Sequence, residues 1–266
     1  MMTRIRQPAV AGMFYPADAH ELQDTINGFM QASQPVAGPV PIAIIVPHAG
    51  YIYSGPVAAS AYIQLKPLRD VIQRVILLGP SHRVPFAGLA ATSDDYFHTP
   101  LGDIPIDQPA IDSLMDLPQV RRYDAAHTLE HSLEVHLPFL QTVLSAFKLV
   151  PLVVGEASAH EVAEILERFW GQDDTLIVIS SDLSHYLDYA AAQKRDRRTS
   201  TAIEELDYES LDYEDACGRN PVNGLLYLAR QKHLHIKTLD LRNSGDTAGP
   251  QDQVVGYGAY VATLEE

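Results

Sequence analysis

Three histidines each follow an apolar, β-branched run after a short turn. Ile42-Ala43-Ile44-Ile45-Val46 leads through Pro47 to His48. Val75-Ile76-Leu77-Leu78 leads through Gly79-Pro80-Ser81 to His82. Leu176-Ile177-Val178-Ile179 leads through Ser180-Ser181-Asp182-Leu183-Ser184 to His185. A single loop histidine is more often a structural hydrogen-bonding group than a ligand. A repeat of one strand-then-histidine pattern favours a shared site, because parallel strands end on one edge of a sheet. Converging imidazoles suit metal binding or proton transfer.

Two histidines and one carboxylate on one face suit non-haem iron(II), leaving positions free for substrate and O₂. His48 and His82 are the expected ligand pair. Asp246, in the turn Asn243-Ser244-Gly245-Asp246-Thr247-Ala248-Gly249-Pro250, is the candidate third ligand. An Asp that stabilises its own turn is an equally good reading of that residue. Asp182 and His185 form a second pair, with His185 as proton shuttle and Asp182 as its orienting partner or a further ligand. Glu130, His131, Glu134 and His136 read either as groups behind the ligands or as a structural polar network.

Three other patterns compete. His127-Thr128-Leu129-Glu130-His131 matches the H-x-x-E-H form of a zinc protease, with Glu204 or Glu205 as a third ligand. It leaves the strand-exit histidines unexplained. Gly79-Pro80-Ser81-His82-Arg83 opens like a nucleophile elbow, but Arg83 stands where a second glycine is needed. Cys217 in Cys217-Gly218-Arg219 is either a thiolate at a helix start or, more commonly, a small apolar residue.

The elements that must position these groups follow from periodicity. Leu22, Ile26, Phe29 and Met30 predict an amphipathic helix over 18–30. Pro56 predicts a helix over 54–65 that carries it in the first turn. Short strands and turns are expected over 88–107, and a short helix over 111–117. A helix is expected over 130–147, kinked or broken at Pro138. A strand over 149–154 precedes a helix over 158–170. The charged stretch 189–209 reads as a solvated helix, and Asn220-Pro221 as the cap and first turn of a helix to about 231. Strands are expected over 236–241 and 254–263. This alternation predicts a three-layer α/β/α sandwich with a mostly parallel central sheet, as a single domain over 1–266.

Composition narrows the function classes. The chain has 266 residues, 46% hydrophobic and 20% charged, enough for a substantial core. Its formal net charge of −15 argues against phosphate backbones and anionic lipid as partners. One cysteine allows no internal disulfide. The opening Met1-Met2-Thr3-Arg4-Ile5-Arg6-Gln7-Pro8 has no apolar signal core, and no run is long enough to span a bilayer. These features point to a cytoplasmic protein.

Several segments together resemble the Memo family: Ala11-Gly12-Met13-Phe14-Tyr15-Pro16, Pro47-His48-Ala49-Gly50-Tyr51, Leu78-Gly79-Pro80-Ser81-His82, Glu130-His131-Ser132-Leu133-Glu134-Val135-His136-Leu137-Pro138, Ser180-Ser181-Asp182-Leu183-Ser184-His185 and Cys217-Gly218-Arg219-Asn220-Pro221. They run in order along nearly the whole chain. The resemblance implies the fold of LigB-type class III extradiol dioxygenases, which hold non-haem iron(II) with two histidines and a glutamate. It implies that His48 and His82 are ligands and His185 the acid/base group. Phe14, Tyr51, Ser81, His131 and Glu134 are then expected to line the pocket or stand behind the ligands. The expected cofactor is a divalent metal, iron(II) first, with copper or zinc as alternatives. Animal Memo proteins are described as metal-binding, redox-linked signalling effectors, so a non-catalytic role binding a peptide or protein is the competing expectation. Prokaryotic relatives imply radical-SAM and AMMECR-type partner proteins. Where the animal proteins have a cysteine in the C-terminal turn, this chain has Asp246 or Thr247. Cys217 matches a different family cysteine and is not carried over as that ligand.

Overall fold

The computed structural model describes residues 3–36 and 38–264. Met1 and Met2 of the opening stretch, and the ends of the range 1–266, lie outside the described residues. In chain order the strands are β1 (Ile5–Arg6), β2 (Ala43–Val46), β3 (Arg74–Pro80), β4 (Leu89–Ala91), β5 (Tyr96–Thr99), β6 (Gly102–Pro105), β7 (Val120–Arg122), β8 (Lys148–Val154), β9 (Thr175–Ser180), β10 (His185–Leu187), β11 (Leu234–Asn243) and β12 (Val254–Leu264). The helices are α1 (Ala19–Ala32), α2 (Tyr51–Tyr62), α3 (Gln108–Asp112), α4 (Ala125–Thr128), α5 (Leu137–Val143), α6 (Ala159–Glu167), α7 (Tyr189–Glu204) and α8 (Arg219–Lys232).

Four strands make the centre of the large sheet, in the order β2-β9-β3-β8, all parallel. Each is almost wholly apolar and buried, as a strand covered on both faces must be. The sheet is mixed at its sides. β12 runs antiparallel to β2 and carries β10 and β11, while β4 runs antiparallel to β8 and pairs in parallel with β7. A separate three-stranded sheet joins β1, β5 and β6.

Helices pack on the sheet in two groups. α1, α2 and α5 contact one another, and α2 also lies on β2, β11 and β12. α6 and α8 pack together, with α8 on β3 and β9. α6 starts with a full capping box, in which Ser158 and Glu161 satisfy each other's backbone donors. This is the α/β/α layering expected, with a mixed rather than uniformly parallel sheet. No helix among the described residues is long and apolar enough to cross a membrane.

Local departures cluster beside the histidines. α2 begins at Tyr51 rather than Ser54, so Pro56 lies inside it. The Tyr51 N–H is satisfied by the Phe14 carbonyl, at 2.7 Å, which allows the early start. Residues 130–147 do not form one helix. Glu130 accepts the His131 and Ser132 N–H groups on its side chain, both at 2.9 Å, and so holds the chain in a turn. Pro138 then sits in the first turn of α5, where its missing N–H costs nothing. α8 is capped by Gly218, and the Asn220 side chain instead donates to the Gly155 carbonyl.

Candidate metal centre

The parallel order of β2, β9 and β3 places the exits of these strands side by side. His48 follows the end of β2 by two residues, His82 follows β3 by two, and Asp182 follows β9 by two. The third imidazole comes from elsewhere: His131 enters from the turn between α4 and α5. That turn is tied down by Ser132, whose hydroxyl donates to the Pro80 carbonyl at 2.7 Å and whose carbonyl accepts the Ser180 hydroxyl at 2.6 Å. Gly79 gives it room, since a Cβ there would lie 2.9 Å from Ser132 Oγ and from Leu133 Cδ2.

His48, His82 and His131 each offer a donor nitrogen, and these three atoms lie within 4.8 Å of one another. Ring centroids are 5.1 Å apart for His48 and His82, 5.5 Å for His48 and His131, and 4.7 Å for His82 and His131. His48 is buried, while His82 is exposed and His131 half-buried, so the group opens to one side. Burial, followed by the charges of the neighbouring histidines, pushes the His48 pKa well below its usual range. Burial likewise lowers His131 to about 4, against the pull of Glu130. Both rings are therefore neutral near pH 7, the state in which an imidazole can ligate.

Each of the first two ligands has its other ring nitrogen engaged. His82 Nδ1 meets Glu130 Oε1 at 2.9 Å, and the His82 backbone N–H donates to Glu130 Oε2 at 2.6 Å. Burial would raise the Glu130 pKa, but the hydrogen bonds and charge of His82, with the Ser132 N–H, hold it down to about 2. A carboxylate only accepts, so His82 Nδ1 carries the proton and Nε2 is free for a metal. His48 Nδ1 meets Ser180 Oγ at 2.6 Å, leaving its Nε2 free. Three converging imidazoles, two of them with the second ring nitrogen held by a partner, fit a divalent transition metal, and no carboxylate is part of the group.

A cavity of about 340 Å³ adjoins the centre, with His82, Ser81, Cys217, Phe86, Pro80 and Tyr213 in its wall. Cys217 Sγ lies 3.5 Å from His48 Nε2, the ring nitrogen not engaged by Ser180. Burial, then the charge of Asp182, raises the thiol pKa, so the metal-free side chain is an un-ionised thiol.

A family model described as Memo-like protein matches residues 6–261. The chain belongs to the Memo family. It is 39% identical to a MEMO1 family protein of Aquifex aeolicus, over 96% of this chain and 97% of that one. It is 34% identical to a relative in Thermoplasma acidophilum, over 97% and 99% of the two chains. A Methanocaldococcus jannaschii relative is 35% identical over 98% and 99%. Among solved structures, an uncharacterized protein from Escherichia coli K12 is similar with a TM-score of 0.53 at 12% identity, covering 82% of this chain and 98% of that chain. At that identity the likeness concerns the fold alone.

In this Memo-family chain the structure brings His48 and His82 together as expected and adds His131 in place of Asp246. Asp246 is exposed in the turn before β12 and is used there. Its carboxylate accepts the Tyr189 hydroxyl at 2.5 Å and the Asn243 N–H at 2.9 Å, closing a capping box with Asn243. The turn reading of that Asp is the one these contacts support, and Asp246 is not among the three converging donors.

Asp182 is buried and accepts the His48 backbone N–H at 2.7 Å. It therefore fixes the exit of β2, and among the described residues no hydrogen bond joins it to the His185 ring. His185 is half-buried at the start of β10, close enough for its charge to bear on both His48 and Asp182. Glu134 stands behind the site as a structural group. It pairs with Arg6 at 2.9 Å and accepts from Ala9 N, Val10 N and the Tyr15 hydroxyl, anchoring the N-terminal segment. Phe14 packs edge-on against His131 at 4.9 Å, and the Tyr51 hydroxyl donates to the Val135 carbonyl. Ser81 donates to the Val84 carbonyl at the cavity wall.

The zinc-protease pattern fails on geometry. His127 is buried away from the group, its Nε2 on the Ala90 carbonyl at 2.9 Å and its ring against Phe97. Because α4 ends at Thr128, His127 and His131 do not share a helical face. Sequence reasoning missed Cys217 as a neighbour of the centre and took His131 only as a supporting group. The one available signal was the density of His and Glu in 130–136.

Proposed function

We propose that this Memo-family chain is a divalent-metal protein that acts on a small molecule held in the cavity beside His82. The single observation that carries this is the set of three convergent imidazoles with one open side. In the more specific form of the proposal the ion is iron(II) and the reaction is an O₂-dependent oxidation of a small aromatic compound. An iron(II) ion held there would supply Lewis acidity and one-electron chemistry. The chain's own residues do the rest. Pro80 and Phe86 offer apolar surface to a ring, and Tyr213 and Ser81 offer hydroxyl oxygens. His185, at the mouth of the same strand edge, receives and returns a proton. Asp182 holds the backbone of His48 in place.

A three-imidazole set without a carboxylate also suits zinc or copper, so a zinc or copper protein is the second reading. The family resemblance extends the proposal to cytoplasmic radical-SAM and AMMECR-type partners.

The test is metal content of anaerobically purified protein, wild type beside His48→Ala, followed by O₂ uptake with catechol-type compounds. Stoichiometric metal in the wild type and none in the variant is expected. Equal metal in both would overturn the site. Metal without turnover would remove the oxidation and leave a binding protein.

A further inference from the structure

Behind His48 lies a chain of buried side chains that none of the chemistry above requires. Ser180 Oγ is shared by three groups. It lies 2.6 Å from the Ser132 carbonyl, 2.6 Å from His48 Nδ1 and 2.8 Å from His136 Nε2. His136 Nδ1 in turn lies 3.0 Å from the Tyr62 hydroxyl. Ser180 and His136 are fully buried, as is Tyr62, so no water completes these partnerships at the surface.

The donor inventory allows one arrangement. A carbonyl can only accept, so the single Ser180 proton points to Ser132. Both imidazoles must then donate to Ser180 Oγ, which fills its two acceptor positions. His136 thus carries its proton on Nε2. Burial holds His136 neutral, with a pKa of about 3, so its Nδ1 is an acceptor and takes the Tyr62 proton. His48 carries its proton on Nδ1, and its Nε2 keeps a lone pair facing His82 and His131.

We infer that Tyr62, His136 and Ser180 form a hydrogen-bond relay that locks His48 in its metal-ligating tautomer, with Ser180 as the positioning residue. The inference rests on the metal-site reading for its purpose, but its geometry stands without a metal. A free imidazole divides between two tautomers, and only one presents Nε2. Fixing it before the metal arrives removes that cost from binding, as groups hydrogen-bonded to the far nitrogen of a ligating histidine do elsewhere. The relay differs from the usual carboxylate–histidine arrangement in being neutral along its whole length.

The test uses full-length, metal-free protein with ¹⁵N-labelled histidine, read by NMR of the ring nitrogens, and then titration with zinc(II) alone. In the wild type His48 and His136 should each show a single tautomer, protonated at Nδ1 and Nε2 respectively. Ser180→Ala should spread His48 over both tautomers and weaken zinc binding by about 10- to 100-fold. Ser180→Thr, which keeps the hydroxyl, should restore both. If Ser180→Ala does not fold, Tyr62→Phe removes one oxygen at the far end. It should populate a second His136 tautomer and weaken zinc several-fold. A single, unchanged His48 tautomer in Ser180→Ala, or unchanged His48 and His136 in Tyr62→Phe, would overturn the relay. A locked wild-type tautomer with no zinc binding would uphold the relay and defeat the metal site, so the two failures are distinct.

Discussion

Two arms support the candidate metal centre, and they are built from opposite materials. The His82 arm ends in Glu130, a buried carboxylate that accepts from one imidazole and three backbone N–H groups. The His48 arm ends in Ser180, His136 and Tyr62, all neutral and all buried. The charged arm raises the basicity of its histidine and adds one negative charge beside a dication. The neutral arm adds no charge and contributes only orientation. The difference follows from the donors at hand, since Glu130 is as buried as Ser180 and His136 but is surrounded by backbone N–H groups. A carboxylate behind His48 would lose its water without the backbone donors that Glu130 gathers from its own turn.

That contrast predicts unequal sensitivity. Glu130→Gln should be the most damaging change to either arm. It turns one oxygen into a donor opposite the His82 N–H and removes the charge. Zinc affinity should fall towards the upper end of the about 10- to 100-fold range for such partners. Stability should fall by about 1–3 kcal/mol, because a buried donor is left unpaired. Isothermal titration and urea denaturation read the two effects. A Glu130→Gln protein that binds zinc more tightly than Ser180→Ala would reverse the order of the arms.

Acid should strain the neutral groups first. His127 is held to about 4 and His136 to about 3, both chiefly by burial, against an ordinary value of 6.5. These rings bind a proton more weakly folded than unfolded. Unfolding therefore takes up protons once the pH drops below about 6.5, and the stability of the metal-free protein falls from there towards pH 4. His127 alone accounts for about 2–3 kcal/mol between pH 7 and pH 4.5. Glu130, held to about 2, begins to cost stability only below its ordinary value of 4.5. Urea unfolding at pH 7, 5.5 and 4.5 checks this, and a flat profile would contradict the buried neutral histidines.

The sequence made part of this visible for a definite reason. A parallel strand buried on both faces is a continuous apolar run, so β2, β3 and β9 and the histidines after them stand out. The apolar face of α1, at Leu22, Ile26 and Met30, was similarly plain. His131 was obscured because it leaves a turn whose shape depends on Glu130 accepting neighbouring N–H groups, a long-range arrangement with no periodic signature. The same stretch, with its i, i+4 carboxylates, imitates a helix. Asp246 was ambiguous because a Gly-rich turn can approach a site or simply cap itself, and with Asn243 it forms a capping box. Cys217 reaches His48 only because the start of α8 lies against the exit of β9, where the Gly218 N–H donates to Ser181 Oγ. Nothing near Cys217 in the chain encodes that.

The most direct test of the three-imidazole centre is zinc(II) titration of His131→Ala beside Asp246→Ala, with folding of each checked by thermal melting. The geometry predicts that His131→Ala loses high-affinity zinc and that Asp246→Ala binds as the wild type does. Zinc retained by His131→Ala and lost from Asp246→Ala would contradict it, and would return the third ligand to the C-terminal turn.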